Sequence, residues 1–173
     1  MAKFTYKYCP QCATLLTERL LFDLVRPACP SCDFVHFEDP KVAVVAFATC
    51  QGRVLLIQRA VDPESGKWAM PGGYMDAGEL PEEALQRELL EEVGLAVNIE
   101  QLLGTHPLFH VDRAGVQENV GVVLIYQVSP QSDQLEELIC QDDVKDAGWF
   151  LPDEVPDDLA FELTGMLLET WQP

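Results

Sequence analysis

The fold class predicted for this 173-residue chain is α/β, with a small cysteine-held ribbon ahead of the main domain. Three observations predict it. The apolar run at positions 41–49 reads as a buried strand, and positions 53–58 as a second strand that pairs back. Helical patterns occupy positions 81–93 and the last fifteen residues. Four cysteines, in two C-x2-C pairs, precede all of these. The length suits one ordinary domain with an appendage, and 48 % apolar residues suffice to close a core.

The ribbon comes first. Cys9-Pro-Gln-Cys12 and Cys29-Pro-Ser-Cys32 are separated by sixteen residues, and each tight turn can aim two sulfurs at one metal. Paired knuckles at this spacing read as a tetrahedral four-thiolate Zn2+ site. Two disulfides are the alternative, disfavoured in a reducing compartment. A redox C-x-x-C would need a βαβ setting, which is absent here. Cys50 and Cys140 read as buried small hydrophobes. Residues 1–36 cannot build a core alone, so zinc must supply much of their folding energy. Their basic residues, Lys3, Lys7, Arg19 and Arg26, are offset by Glu18 and Asp23, which favours a scaffold over a nucleic-acid contact.

In the main domain, residues 37–173, Lys41 to Thr49 is a continuous apolar run and predicts a buried strand. Gln51-Gly52 marks a turn, and Arg53 to Gln58 pairs back. Ala60 to Lys67, with Pro63, Ser65 and Gly66, reads as a loop. Asn119 to Val128 alternates as a strand, and Trp149 to Leu151 is a last short one. Leu159, Leu163, Met166, Leu167 and Trp171 form a helical stripe of core packing.

Twenty-nine acidic residues against eleven Lys plus Arg leave a formal charge of −18. That balance excludes general nucleic-acid binding and repels anionic lipid. The longest apolar run, Val42 to Ala48, is too short for a bilayer, and Met1 to Cys9 resembles no secretory signal. A soluble cytoplasmic protein is expected. If its substrate is a phosphate, a chain this acidic must invert its local field, and bound cations are the usual means.

The segment Pro71 to Leu95 carries the chemistry. Pro81 suits a first helical turn, Glu82 and Glu83 complement the positive helix end, and Gly94 suits a left-handed cap. A helix over 81–93 follows. At roughly 100° per residue, Glu88, Glu91 and Glu92 share one sector beside the apolar stripe Leu85, Leu89 and Val93. Like charges so placed cost stability, and Arg87 is the one cation in the helix. A hard-cation site accounts for them better than a solvated face: Mg2+ takes oxygen ligands and keeps waters that a phosphate can replace. Gly72, Gly73 and Gly78 shape the preceding loop, which carries Glu79.

These residues resemble the Nudix hydrolase box. Gly73, Glu79, Arg87-Glu88-Leu89, Glu91-Glu92 and Gly94-Leu95 match all nine constrained positions in twenty-three. The approach, Leu55 to Arg59 and Lys67 to Gly73, is similar too, as are Asp143 to Phe150 and Pro152 to Pro156 at the close. One departure is Leu80, where many members have a capping Ser; a helix start weaker by about 1 kcal/mol follows.

The resemblance implies an α/β/α sandwich around a mixed sheet, and hydrolysis of a nucleoside diphosphate linked to X. It implies Glu88 and Glu92 as principal Mg2+ (or Mn2+) ligands, Glu91 as a further ligand or base, and Arg87 as their orienter. Arg59, Gly72, Gly73 and Glu79 become candidate substrate contacts. Asp143 stands where some relatives present a glutamate base. Being one methylene shorter, it is expected to fall short of Glu91 in that role.

A ribbon on such a domain resembles two groups. One cleaves NADH and carries S-Q-P-W-P-F-P after the box, where this chain has Gly104-Thr-His-Pro-Leu-Phe-His110. The other cleaves ADP-ribose and FAD and is similar in Ile57 to Gly78 and Asp153 to Phe161; this reading is preferred. Phe109 and Tyr126 are read as core residues, and His36, His106 and His110 as ordinary polar residues. The expected partner is a nucleotide diphosphate, with no membrane and no nucleic acid, and a homodimer is compatible. A nucleotide-sensing binding module is the non-enzyme alternative, which the intact box disfavours.

Overall fold

The computed structural model describes residues 6–111, 117–132, 135 and 138–173, with the side chains of all but 110, 111 and 117. Lys3 and the side chain of His110 thus lie outside the described residues. The chain divides into two compact units, residues 1–40 with 110–118, and residues 41–109 with 119–173.

In the first unit, β1 (Thr17–Leu21) and β2 (Leu24–Ala28) pair antiparallel, Thr17 opposite Ala28 and Leu21 opposite Leu24. Phe22 and Asp23 close this hairpin, both with positive φ, 53° and 61°. That two-residue geometry matches the right-handed twist of the strands. The cysteine knuckles are built by backbone bonds: the Cys9 N–H donates to Thr14 O at 2.8 Å, and the Cys29 N–H to Phe34 O at 2.9 Å.

A mixed sheet, all but the far ends of two strands in the second unit, is built from β3 (Lys41–Cys50), β4 (Arg53–Arg59), β5 (Trp68–Ala69), β6 (Gly72–Tyr74), β7 (Val97–Val111), β8 (Gln117–Pro130) and β9 (Val144–Phe150). The order is β5-β4-β3-β8-β7, with β6 also on β3 and β9 also on β4. Strand β3 runs parallel to β8 and antiparallel to β4 and β6. Helix α1 (Pro81–Val93) covers one face, where Leu85, Leu89 and Val93 pack on Val44, Ala46, Leu55 and Ile57. Helix α2 (Glu162–Thr170) serves the other face, where Leu167 and Trp171 meet Phe47, Val54 and Leu56. Alternate residues of β3 and β4 thus face opposite helices. A strand buried on both sides reads as a continuous apolar run, which is what their sequences show.

Several expectations need correcting. The fifteen-residue strand β7 has no counterpart in the sequence reading. It lies at the sheet edge and is largely exposed from Asn98 to Phe109, so its pattern is weak. Pro107 is tolerated because an edge strand leaves one side of its backbone unpaired. The last strand begins at Val144, five residues earlier than expected. Leu159 precedes α2, bridging Trp68 instead. Cys140 is exposed and Cys50 only half-buried, so neither is the buried hydrophobe expected. Phe109 is 44 % exposed and is no core residue, whereas Tyr126 is buried.

Candidate active site

Helix α1 begins where the sequence places it. Leu80 offers no side-chain acceptor, but the Glu83 carboxylate reaches back to the Leu80 N–H at 3.0 Å. Half of a capping box therefore replaces the missing Ser. At the other end Gly94 takes φ 69°, and its N–H and that of Leu95 bond to Leu90 O and Leu89 O, both at 3.1 Å. Both ends are held, so the carboxylate face is presented on a rigid element.

Arg87 is the hub of that face. Its Nε and Nη2 grip both oxygens of Glu79 at 2.7 and 2.9 Å. Nη1 donates to Glu88 at 2.8 Å and to Glu91 at 3.1 Å, and Nη2 also reaches Tyr74 O at 3.0 Å. Five bonds match the five donors of a guanidinium. Its pKa is driven upward, chiefly by the Glu79 bonds. In return Glu79 is held down to about 2 by Arg87, helped by the Asp76 N–H.

Glu92 is different. Its side chain is buried, and Oε2 accepts one bond, from the Gly72 N–H at 2.9 Å. Burial pushes its carboxyl up to about 8; the Gly72 N–H opposes this, while the charges of Asp143 and Glu88 add to it. Glu88 is also raised, first by burial, with Arg87 opposing and Glu91 and Asp142 adding. Its carboxylate lies against β6: a β-carbon at Gly73 would overlap it, so any larger residue there would push the Glu88 carboxylate out of place. Glu91 is more exposed, 53 % of its side chain, and Arg87 is its hydrogen-bond partner.

Two more elements reach the site. Arg59 ends β4 and its charge acts on Glu92. Asp143 is drawn beside that strand end by its carbonyl, which accepts the Ala60 N–H at 2.7 Å. Glu88, Glu91, Glu92, Arg87, Glu79, Gly72 and Gly73 are therefore brought together, with Arg59 and Asp143 close enough to bias Glu92. Glu79 has both oxygens on Arg87, which makes it a holder of Arg87. Asp142 was missed by the sequence reading, although it adjoins Asp143 and its charge acts on Glu88.

The donor chemistry fits a hard cation. Two buried or largely buried carboxylates share few neutralising partners, and uncompensated buried charge is costly. The ribbon also fits its metal. The four Sγ atoms lie within 4.8 Å of one another, with Cys12–Cys29 at 3.4 Å, Cys9–Cys32 at 3.6 Å and Cys12–Cys32 at 3.8 Å. A tetrahedron with Zn–S bonds of about 2.3 Å has edges near 3.8 Å.

A carboxylate helix under a glycine strand, on a mixed sheet between two helices, defines a class of anhydride hydrolases. The NUDIX domain family matches residues 38–168. The chain belongs to that family and is a Nudix pyrophosphohydrolase by class. It is 36 % identical over 123 residues to an ADP-ribose pyrophosphatase of Methanocaldococcus jannaschii, covering 71 % of this chain and 68 % of that protein. It is 30 % identical over 155 residues to the NAD-capped RNA hydrolase NudC of Chromobacterium violaceum, covering 88 % of this chain but only 52 % of NudC. A crystal structure of a NUDIX hydrolase from Nitrosomonas europaea matches with TM-score 0.81 and 27 % identity, over 94 % of this chain and 88 % of that one. Among the described residues, no helix is long and apolar enough to cross a membrane.

Proposed function

We propose that the chain hydrolyses the diphosphate bond of a nucleoside diphosphate linked to a second group, with Mg2+ or Mn2+, and that ADP-ribose or FAD is the substrate. The observation that carries this reading is the Glu88–Glu92 pair packed against the Gly72–Gly73 strand, with Arg87 on Glu88 and a single backbone N–H on the buried Glu92. Glu88 and Glu92 would be the principal ligands, and Glu91 a further ligand or the base. A bound divalent cation neutralises the diphosphate and lowers the pKa of the attacking water.

The chain's own residues do the rest. Arg87 holds Glu88 and Glu91 in register, and Glu79 locks Arg87. Backbone groups of Gly72 and Gly73 line the approach, and Arg59 meets a phosphate. Glu91 is assigned as base, because it is exposed and lightly held, so it can reach a water.

The likeness to an ADP-ribose pyrophosphatase supports the substrate reading. The likeness to an NAD-capped RNA hydrolase over 88 % of this chain supports the second reading, a pyrophosphatase of NADH or another dinucleotide. A structural Zn2+ on Cys9, Cys12, Cys29 and Cys32, kept by reduced thiols, agrees with a cytoplasmic setting.

The test is a panel of ADP-ribose, FAD, NADH and dinucleoside polyphosphates with Mg2+ or Mn2+. ADP-ribose or FAD should be cleaved fastest, with no turnover once EDTA is added. Fastest cleavage of NADH selects the second reading. Binding of these nucleotides without product release would mark a sensor and overturn the proposal.

A further inference from the structure

Arg59 ends β4 next to the strand and helix that carry the candidate site; like Arg26, it sets its Nε on a backbone carbonyl and its guanidinium against an aromatic ring. Among the described residues it forms no ion pair, whereas Arg53 is paired with Glu154 and Arg87 with three glutamates. Its Nε donates to Pro63 O at 2.8 Å, and its guanidinium carbon stands 5.2 Å from the centre of the Phe161 ring. Neither partner carries a charge. The terminal nitrogens thus have no charged partner and no acceptor among the described residues.

Phe161 is itself held oddly. It precedes α2 with φ 59° and ψ 134°, a backbone conformation that favours glycine, and its side chain is 46 % exposed. The chain on either side is fastened. The Trp68 N–H donates to Asp158 O at 2.9 Å, the Ala160 N–H to Trp68 O at 2.6 Å, and the Thr164 N–H to Phe161 O at 3.1 Å. Strand β5, which contains Trp68, pairs with β4, which ends in Arg59. This lattice sets an aromatic ring against the guanidinium from a position that no helix-capping need explains.

We propose that Phe161 is a positioning residue of the diphosphate site, its ring holding Arg59 so that the free guanidinium nitrogens face the phosphate of a nucleoside diphosphate. This rests on the reading of Arg59 as a phosphate contact. A loose arginine beside so many carboxylates would fold onto one of them and be neutralised. An aromatic face attracts the guanidinium without cancelling its charge.

The experiment measures ADP binding by calorimetry with Mg2+ present, and in parallel kcat and KM on ADP-ribose. Phe161→Leu should weaken ADP binding about fivefold, the effect of losing one exposed cation–π contact. KM should rise by a similar factor while kcat falls less than twofold. Phe161→Tyr, which keeps the ring, should restore both. Phe161→Gly relaxes the backbone, so it should melt no lower than Phe161→Leu yet bind ADP as weakly. In an Arg59→Gln background, Phe161→Leu should cause no further loss.

ADP affinity unchanged in Phe161→Leu, or a loss that repeats in full on Arg59→Gln, overturns the proposal, as does a wild-type protein that binds no ADP. Failure of the hydrolase reading is seen separately, as ADP binding that follows this pattern without turnover of any nucleotide.

Discussion

Arg87 commits its five donors to three glutamates and a carbonyl, and Glu92 makes one bond in a buried setting. The two residues stand at opposite extremes: one is saturated with bonds, the other is buried with a single one. Glu92→Gln keeps the shape and removes the charge. Turnover at saturating Mg2+ should fall about a hundredfold or more, roughly 3 kcal/mol of barrier. The metal-free variant should melt no lower than wild type at pH 8, since an amide avoids the burial of charge. Steady-state kinetics and thermal melts check both halves, and near-normal turnover would refute the role.

Glu79 offers a pH test. Its carboxyl is held down to about 2 from an ordinary 4.5 by the Arg87 bonds. The folded state therefore releases this proton more readily than the unfolded chain, so the stabilisation is present above about pH 4.5 and is lost as pH falls toward 2. Urea unfolding should find Glu79→Gln less stable than wild type at pH 7, with the gap closing across that window. A constant gap would place its origin elsewhere. The base is tested by comparing Glu91→Gln with Asp143→Asn at saturating metal and substrate. Glu91→Gln should lose far more turnover; the reverse order moves the base to the segment before β9.

At the scale of elements, α1 is the platform, and its rigidity comes from burial more than from propensity. Leu85, Leu89 and Val93 are fully buried against β3 and β4. Leu89→Ala leaves a cavity in the core under α1. It should cost about 3 kcal/mol of stability by urea denaturation. Turnover should fall as well, because carboxylates on a sagging helix lose their register with Gly73. A loss of stability with fully retained turnover would show that the helix does not need this packing to align its ligands. Beside the hairpin β1–β2 the two cysteine knuckles bring four sulfurs together.

The two units are built differently, one around a two-faced sheet core and one around four clustered cysteine sulfurs. Freshly purified protein should contain one zinc per chain by elemental analysis. Cys12→Ser should lose that zinc and the order of the ribbon, seen as lost amide protection over residues 6–36, while the α1 amides stay protected. EDTA at a concentration that spares the ribbon zinc should still abolish turnover, and Mg2+ should restore it. Loss of zinc that unfolds α1 as well would show that the second unit has no independent core.

Much of the site was legible from local spacing. The bounds of α1, its Gly94 cap, the shared face of Glu88, Glu91 and Glu92, and the two cysteine knuckles follow from periodicities of three to four residues. Those periods are properties of a single helix or turn, so the sequence by itself determined them. It also determined that β3 is a buried strand, because its apolar run has no polar alternation.

Tertiary structure alone decided what surrounds that face. Gly73 meets Glu88 because β6 pairs with β3, and Asp143 stands near Glu92 because β9 returns antiparallel to β4 from some ninety residues away. Edge strand β7, with Pro107 and a mostly exposed surface, gave no pattern to read. Arg59 and Phe161 lie about a hundred residues apart and meet through β5. Strand register between distant segments is set by the sum of many pairings and by the core on each side, and no local run of residues contains that sum.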